Sequence, residues 1–176
     1  MRRLALLFMA LFIFWGCTND NSDRKANYNP DPKVGAKATD FLFRDIDEKP
    51  FRLSEHKGHV VLLYFWRMKC RECTDAMDPL ELLYRKYKDR GLVVVTVGAD
   101  TMHSAPIEDV RDFLSRHGIS SVTLRDDQGF VSEAYNVLKA PMAFIIDKDG
   151  TIVSIKEGKT DWMSHENTSL MESLTK

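Results

Sequence analysis

Runs of apolar residues without polar alternation indicate two buried strands in the middle of the chain. Val60–Trp66 is apolar throughout and rich in strand-forming residues, which predicts a central strand covered on both faces. Residues 92–97 form a second run of the same kind. Between the two runs, apolar residues from Leu80 to Tyr87 recur at the spacing of an amphipathic helix, and Gly91 is placed to end it. This stretch therefore predicts a strand, a helix and a second strand.

The remaining elements extend this pattern on both sides. Upstream, short alternating segments over residues 37–45 and 50–53 predict a β-hairpin. Downstream, the pattern predicts a helix between Pro106 and Gly118, a short strand over residues 122–124 and a short helix over 129–137. A hairpin with strands over 142–146 and 151–155 follows, and a terminal helix begins at about Asp161. We therefore predict an α/β fold with a central mixed β-sheet flanked by helices and an N-terminal β-hairpin extension.

The first residues have the pattern of an export signal. Arg2 and Arg3 precede an apolar run over residues 4–15, which is too short to span a bilayer as a helix and suits a secretory signal. The run ends in Gly16-Cys17, which resembles the lipobox of bacterial lipoproteins, where the cysteine is lipidated and becomes the new N terminus. The alternatives are an uncleaved signal anchor and ordinary cleavage near Gly16. Lipidation and an anchor both place the domain outside the cytoplasm and attached to a membrane.

The segment after the signal cannot bury a core. Residues 18–33 are rich in Asn, Asp and Pro and contain one aromatic residue, Tyr28. A flexible chain of this length typically spans about 20–25 Å. We expect three parts: a lipoprotein signal peptide over 1–16, the lipidated Cys17 with a flexible tether over 17–33, and one folded domain over 34–176. The domain would stay close to the membrane surface.

Charge and cysteine count exclude two classes of protein. The chain has 25 basic and 26 acidic residues, a formal net charge of −1, so no basic excess exists to neutralise phosphates. We therefore predict no nucleic-acid partner. Three cysteines in 176 residues are too few for a disulfide-stapled scaffold, so their placement needs a separate explanation.

Two of the cysteines, Cys70 and Cys73, come just after the predicted central strand and at the start of the next helix. Residues i and i+3 share one face of a helical turn, so the two sulfurs can form or open a disulfide with little backbone motion. A helix N terminus also favours a thiolate over a thiol. Lys69 and Arg71 add to this effect, whereas Glu72 opposes it. The pair is thus a candidate redox centre.

Other interpretations of the pair are a zinc site, an inert structural disulfide and a copper site. Zinc takes four ligands in structural sites, and no histidine pair lies at ligand spacing beside Cys70. A disulfide across two residues closes a tiny loop and stabilises little. A copper chaperone could use Cys70, Cys73 and a histidine such as His103. We favour the redox interpretation, in which the disulfide itself is the redox group and neither a metal nor another cofactor is expected.

Two motifs make the chain resemble a known family. Phe65-Trp66 precedes the Cys70–Cys73 pair, and about seventy residues later comes a segment over 137–150 that contains Pro141 and ends in Asp149-Gly150. Over residues 34–176 the chain resembles the TlpA/ResA-like membrane-tethered thiol:disulfide oxidoreductases of the thioredoxin-like superfamily.

The resemblance implies specific roles for the matching residues. Pro141 would follow a cis peptide bond and pack beside the cysteines. Ala140 would offer its backbone N–H and C=O groups to a bound polypeptide, and Trp66 would belong to the substrate-binding region. In dithiol-disulfide exchange, the Cys70 thiolate would attack a substrate disulfide and Cys73 would resolve the mixed disulfide.

The chain also departs from the family pattern near the cysteines. Lys69 stands where the family usually has Trp, and Pro79 comes one residue later than the family's helix-kinking proline, so the kink should shift. Tyr64 occupies the position of a buried acid, and Ala76 that of a Glu. The proton acceptor for Cys73 is therefore unassigned.

Two acids and solvent are candidates for that acceptor. Glu72 and Asp75 lie near the pair in sequence, and a water molecule could also serve. Each acid taken alone is better explained as part of a solvated helix face.

The resemblance implies an extracytoplasmic enzyme that reduces protein disulfides, with apocytochrome c or other exported thiol proteins as candidate substrates. Its implied partners are these polypeptides, a membrane electron donor of the thioredoxin-relay type and the membrane reached by the lipid anchor. A copper chaperone and a thioredoxin-fold binding protein without catalysis remain alternatives. A peroxidase is disfavoured, because the close pair lacks a separate resolving cysteine.

Overall fold

The computed structural model describes residues 32–100 and 104–176. The described chain contains seven strands and five α-helices. In chain order they are β1 (Leu42–Arg44), β2 (Pro50–Arg52), β3 (Val60–Trp66), α1 (Arg71–Asp75), α2 (Met77–Tyr87), β4 (Leu92–Gly98), α3 (Ile107–Arg116), β5 (Val122–Arg125), α4 (Phe130–Ala134), β6 (Met142–Ile146), β7 (Ile152–Glu157) and α5 (His165–Leu174). Short 3₁₀ turns occur at Leu53–His56 and Lys88–Arg90.

Five strands form one mixed sheet in the order β5-β4-β3-β6-β7. The pairs β3–β4 and β4–β5 are parallel, whereas β6 and β7 run antiparallel to their neighbours. The prediction of a central mixed sheet is confirmed, with β3 in the middle. In the β3–β6 pair, Phe65 is opposite Met142, so the end of β3 lies beside the beginning of β6.

The side chains of β3 enter two separate cores because a strand presents alternate residues to opposite faces. Val60, Leu62, Tyr64 and Trp66 pack with residues of α1, α2, α3 and α5. The intervening residues pack on the other face with the N-terminal hairpin and α4. Every residue of β3 is buried, which is why the run shows no polar alternation.

The N-terminal extension is the two-stranded antiparallel sheet β1–β2, with Phe43 opposite Phe51. Its turn is held by Asp45, whose Oδ1 accepts the backbone N–H groups of Asp47 and Lys49 at 2.8 and 2.9 Å. Both phenylalanines are buried in the second core. The predicted hairpin is thus confirmed as part of the folded unit.

The helix after the cysteine pair is interrupted, as the shifted kink expected from Pro79 predicts. The apolar spacing predicts one helix, whereas the structure has α1 and α2 separated by Ala76. Pro79 explains the break, because proline has no N–H for the carbonyl of Asp75 and its ring crowds that group. The helical stripe of buried residues continues across α2.

None of the helices in the described part of the chain is long and apolar enough to cross a membrane. Residues 1–31, with the predicted signal and Cys17, and residues 101–103, with His103, lie outside the described residues.

Candidate active site

The cysteine pair lies at the junction between the central strand and the first helix. Residues 67–69 connect β3 to Cys70, which is the N-cap residue of α1. Cys70 and Cys73 form a disulfide with an S–S distance of 2.14 Å and a Cα–Cα distance of 5.2 Å. The backbone N–H of Cys73 points to the Sγ of Cys70, with an N–S distance of 3.2 Å. After reduction, the same N–H group would favour the thiolate form of Cys70.

The two sulfurs differ in accessibility. Cys73 is completely buried, at 0% exposure. Cys70 is half-buried and packs at the edge of the first core. An incoming sulfur atom can therefore reach Cys70 but not Cys73.

A cis proline faces the pair across the end of the sheet. The Ala140–Pro141 peptide bond is cis, which confirms the prediction. The carbonyl oxygen of Ala140 lies 3.9 Å from the Sγ of Cys70. The carbonyl of Pro141 accepts the N–H of Gly158 at 2.9 Å, which ties this segment to the end of β7. Ala140 is thus placed beside the sulfur of Cys70.

Asp100 supports the loop before Cys70 and was not predicted. Its Oδ2 accepts the backbone N–H of Met68 at 2.7 Å, and only 7% of the residue is exposed. The backbone N–H of Ala99 also donates to the carbonyl of Trp66 at 2.9 Å. One signal was present in the sequence: Asp100 follows the second buried strand, and parallel neighbouring strands bring their carboxyl ends together.

Trp66 requires a correction. The resemblance places it in the substrate-binding region, but its side chain is 0% exposed and stacks on Phe113 with ring centroids 5.4 Å apart. Because Trp66 points into the first core with alternate residues of β3, it offers no surface to a substrate. It contributes to the packing below the site.

Tyr64 lies directly behind Cys73. Its hydroxyl donates a hydrogen bond to the backbone carbonyl of Cys73 at 3.0 Å, and its ring packs edge-on against Trp162 with centroids 6.0 Å apart. Burial raises the pKa of Tyr64 far above its ordinary value, and the negative charge of Glu72 adds to the shift. The hydroxyl is therefore protonated at physiological pH and acts as a donor.

The four charged residues proposed to tune the cysteines are all on the surface. Lys69, Arg71, Glu72 and Asp75 are exposed. Arg71 and Asp75 form an ion pair with 3.6 Å between Nε and Oδ2, and the two side chains are 93% and 55% exposed. A pair this exposed is worth little. The solvated helix face expected for Glu72 and Asp75 is confirmed.

No cluster of three or more His, Cys, Asp or Glu residues suited to a metal ion occurs among residues 32–100 and 104–176. His103, the histidine named for a copper site, is outside these residues. The copper interpretation therefore stays a prediction.

The structure combines a mixed sheet, a cysteine pair after its central strand and a cis proline beside that pair. This combination defines the thioredoxin-like class of thiol-disulfide oxidoreductases. The chain belongs to the AhpC/TSA family, whose model matches residues 34–155.

Sequence relatives give the activity. The thiol-disulfide oxidoreductase ResA of Geobacillus kaustophilus is 34% identical over 125 residues, which cover 71% of this chain and 70% of the relative. ResA of Bacillus thuringiensis is 30% identical over 127 residues, covering 72% of this chain and 71% of the relative. The protein is a protein-disulfide oxidoreductase.

Solved structures support the fold. A Chlorobium tepidum protein provisionally assigned as the thiol:disulfide interchange protein DsbE superposes with a TM-score of 0.73 at 25% identity, covering 83% of this chain and 100% of the other. StoA from Bacillus subtilis superposes with a TM-score of 0.62 at 21% identity, covering 82% and 98%. The predicted thioredoxin-like fold is confirmed.

Proposed function

We propose that this protein is an extracytoplasmic thiol:disulfide oxidoreductase that reduces disulfides in proteins through Cys70 and Cys73. The observation that carries the proposal is the asymmetry of the pair. Cys70 is half-buried and lies 3.9 Å from the Ala140 carbonyl, whereas Cys73 is completely buried behind it. A two-step exchange requires an accessible sulfur that attacks and a protected sulfur that resolves the mixed disulfide.

The reaction balances without a further cofactor. In the reduced protein, the Cys70 thiolate attacks one sulfur of a substrate disulfide, a Cys70–substrate bond forms, and the other substrate sulfur leaves as a thiolate. The Cys73 thiol loses its proton, and its sulfur attacks Cys70. The Cys70–substrate bond then breaks, and the second substrate sulfur leaves with the electron pair and takes up a proton. The substrate is reduced by two electrons and the pair is oxidised to the observed disulfide.

The segment before the cis bond is the proposed substrate-binding surface. A polypeptide lying beside Ala140 could pair with its backbone as an added strand, which places a substrate sulfur next to Cys70. Leu138, in the same segment, is 81% exposed and offers an apolar contact to such a polypeptide. The polar backbone of Ala140 would then orient the substrate, and Leu138 would add buried apolar area.

The reducing direction is what the resemblance to the TlpA/ResA-like family implies, whereas the names of the relatives give thiol-disulfide exchange without its direction. Apocytochrome c and other exported thiol proteins are the substrates we propose, and a membrane electron donor of the thioredoxin-relay type would restore the dithiol. Direction can be tested by equilibrating the Cys70–Cys73 couple with glutathione or dithiothreitol buffers. We expect a potential close to the about −270 mV of thioredoxin, whereas a value close to the about −120 mV of DsbA would make the protein an oxidant.

The membrane attachment rests on the sequence alone. We propose that residues 1–16 are removed, that Cys17 carries the lipid and that residues 17–33 tether the domain outside the cytoplasm.

The roles of the cysteines are tested by trapping. We expect the Cys73→Ala variant to accumulate a covalent complex with substrate proteins that is released by dithiothreitol, because the mixed disulfide on Cys70 cannot be resolved. Cys70→Ala is the matched control and should form no such complex. Non-reducing electrophoresis with mass spectrometry identifies the linked residue. Trapping through Cys73, or no trapping by either variant, would contradict the assignment.

A further inference from the structure

A hydrogen bond joins the central strand to the residue that resolves the mixed disulfide. The Tyr64 hydroxyl, near the middle of β3, donates to the backbone carbonyl of Cys73 at 3.0 Å. Tyr64 is 1% exposed and Cys73 is 0% exposed, so water does not compete for the bond. Trp162 packs edge-on against the Tyr64 ring and holds its direction.

The break between the helices explains why Cys73 needs this partner. The last four carbonyl groups of a helix have no donor within it, and Cys73 belongs to this group because α1 ends at Asp75. A buried carbonyl without a donor is costly. Tyr64 supplies the donor, so the backbone position of Cys73 depends on a residue of the neighbouring strand.

Each buried carboxylate within residues 32–100 and 104–176 accepts hydrogen bonds from other residues, and none of these bonds comes from Cys73. These carboxylates are Glu81, Asp100 and Asp126. Glu81 accepts from Arg85 and Ser120, Asp100 accepts from Met68, and Asp126 accepts from the backbone of Val131 and Ser132.

The other charged residues near the pair are in contact with solvent. Arg71, Glu72 and Asp75 on the helix, Lys139 before the cis bond and Asp161 beside Trp162 are all exposed. The side chain that reaches the backbone of Cys73 from within the core is therefore a neutral hydroxyl and not a base.

We propose that Tyr64 is a positioning residue for the resolving step: its hydroxyl holds the Cys73 carbonyl so that the Cys73 sulfur lies in line with the bond between Cys70 and the substrate. The inference rests on the proposed two-cysteine exchange. Tyr64 touches neither the substrate nor the reacting sulfurs in this role, and it acts through the backbone of Cys73.

A dye-linked disulfide separates the two steps. Reduced full-length protein carrying Cys17→Ser, so that Cys70 and Cys73 are its only thiols, is mixed with 5,5′-dithiobis(2-nitrobenzoate) in a stopped-flow instrument. Attack by Cys70 releases the first thionitrobenzoate, and resolution by Cys73 releases the second. In Tyr64→Phe we expect the first release to keep its rate within about twofold. We expect the second release to slow by about fivefold to tenfold, which lies within the range for one lost hydrogen bond.

Tyr135→Phe is the matched control. Tyr135 is also completely buried, and its hydroxyl also donates to a backbone carbonyl, that of Thr39 at 2.8 Å, but in the second core. Both variants lose one hydroxyl, so thermal unfolding should report similar destabilisation, and only Tyr64→Phe should slow the second release. Equal slowing in both variants, or an unchanged second release in Tyr64→Phe, overturns the inference. Absence of any second release in the parent protein would instead contradict the proposed exchange.

Discussion

At the scale of single residues, Glu81 shows how a buried charge is stabilised in this domain. It lies on α2 with 5% exposure, and its carboxylate accepts from Arg85 Nε at 2.7 Å and from the N–H and hydroxyl of Ser120 at 3.0 and 2.6 Å. Burial by itself would raise the pKa of Glu81, but the hydrogen bonds from Arg85 and Ser120 outweigh it and hold the pKa below its ordinary value. The cluster joins α2, which follows the cysteine pair, to the segment after α3.

Replacing this carboxylate should destabilise the fold in a pH-dependent way. We expect Glu81→Gln to lower the free energy of unfolding at pH 7 by about 1.5–3 kcal/mol, the range for hydrogen bonds to a charged group. Because the pKa of Glu81 is lower in the folded state, its ionised carboxylate stabilises the fold at pH values above the ordinary pKa of 4.5. This stabilisation is lost as the pH falls through the folded-state pKa. Urea denaturation at neutral and acidic pH should therefore show the difference between variant and parent shrinking on acidification.

Glu166→Gln is the control for this experiment. Glu166 also accepts from a cation, Lys156, but its side chain is 77% exposed, so the same substitution should change stability little. The free-energy difference between Glu81→Gln and the parent should not stay constant down to strongly acidic pH. A constant difference would show that the charge of Glu81 does not contribute to stability.

Single residues were predictable from the sequence where their signal is local. Cys70 and Cys73 are three positions apart, and the cis bond before Pro141 followed from a recognisable segment. The contacts of Tyr64 with Cys73 and of Asp100 with Met68 join positions 9 and 32 residues apart. They depend on strand register and on the direction of the following helix, so apolar periodicity does not indicate them.

At the scale of elements, the β6–β7 hairpin forms one side of the sheet, and the cis proline directly precedes its first strand, β6. Its turn is built on Asp147, whose Oδ1 accepts the backbone N–H groups of Asp149 and Thr151 at 3.0 and 2.8 Å. Gly150 completes the turn with a φ of +79°, in the left-handed region that favours glycine. The turn therefore relies on one carboxylate and one residue without a side chain.

The conformation of Gly150 gives a prediction at this scale. A Cβ atom on Gly150 would meet nothing within 4 Å, so Gly150→Ala adds backbone strain without a steric clash. We expect a loss of about 1–2 kcal/mol in the free energy of unfolding, measured by thermal or urea denaturation. Gly150→Asn should lose less, because asparagine tolerates this region. Equal losses in the two variants would indicate that another property of the turn is responsible.

The predicted elements were most accurate where one signal dominates. The apolar run of β3 has the predicted bounds, Val60–Trp66, because a fully buried strand needs no pairing information to be recognised. A kink shifted by Pro79 was predicted, but its position at Ala76 was not, since the apolar spacing of a helix continues through it. Pro79 was noted as a displaced proline, but the position of the break depends on which carbonyl its ring crowds.

At the scale of the whole molecule, the chain enters the domain far from the cysteine pair. The backbone N–H of Gly35 donates to the carbonyl of Ile152 at the start of β7, and Lys37 forms an isolated antiparallel β-bridge with Thr151. This is the end of the sheet where β3 begins, whereas Cys70 follows the end of β3. Seven residues of strand separate the two ends by about 23 Å. A tether attached at the entry point would join the domain at the end of the sheet opposite the cysteine pair.

This placement predicts that anchoring and catalysis are separable. We expect Cys17→Ser to move the protein from the membrane fraction to the soluble extracytoplasmic fraction and to abolish labelling by a radioactive fatty acid. The rate of disulfide reduction by the purified variant should equal that of the parent, because the tether is attached at the opposite end of the sheet. Cys70→Ser is the control, and it should stay in the membrane and lose activity. Retention of Cys17→Ser in the membrane, with residues 1–16 still present by mass spectrometry, would show that the apolar run over residues 4–15 is itself the anchor.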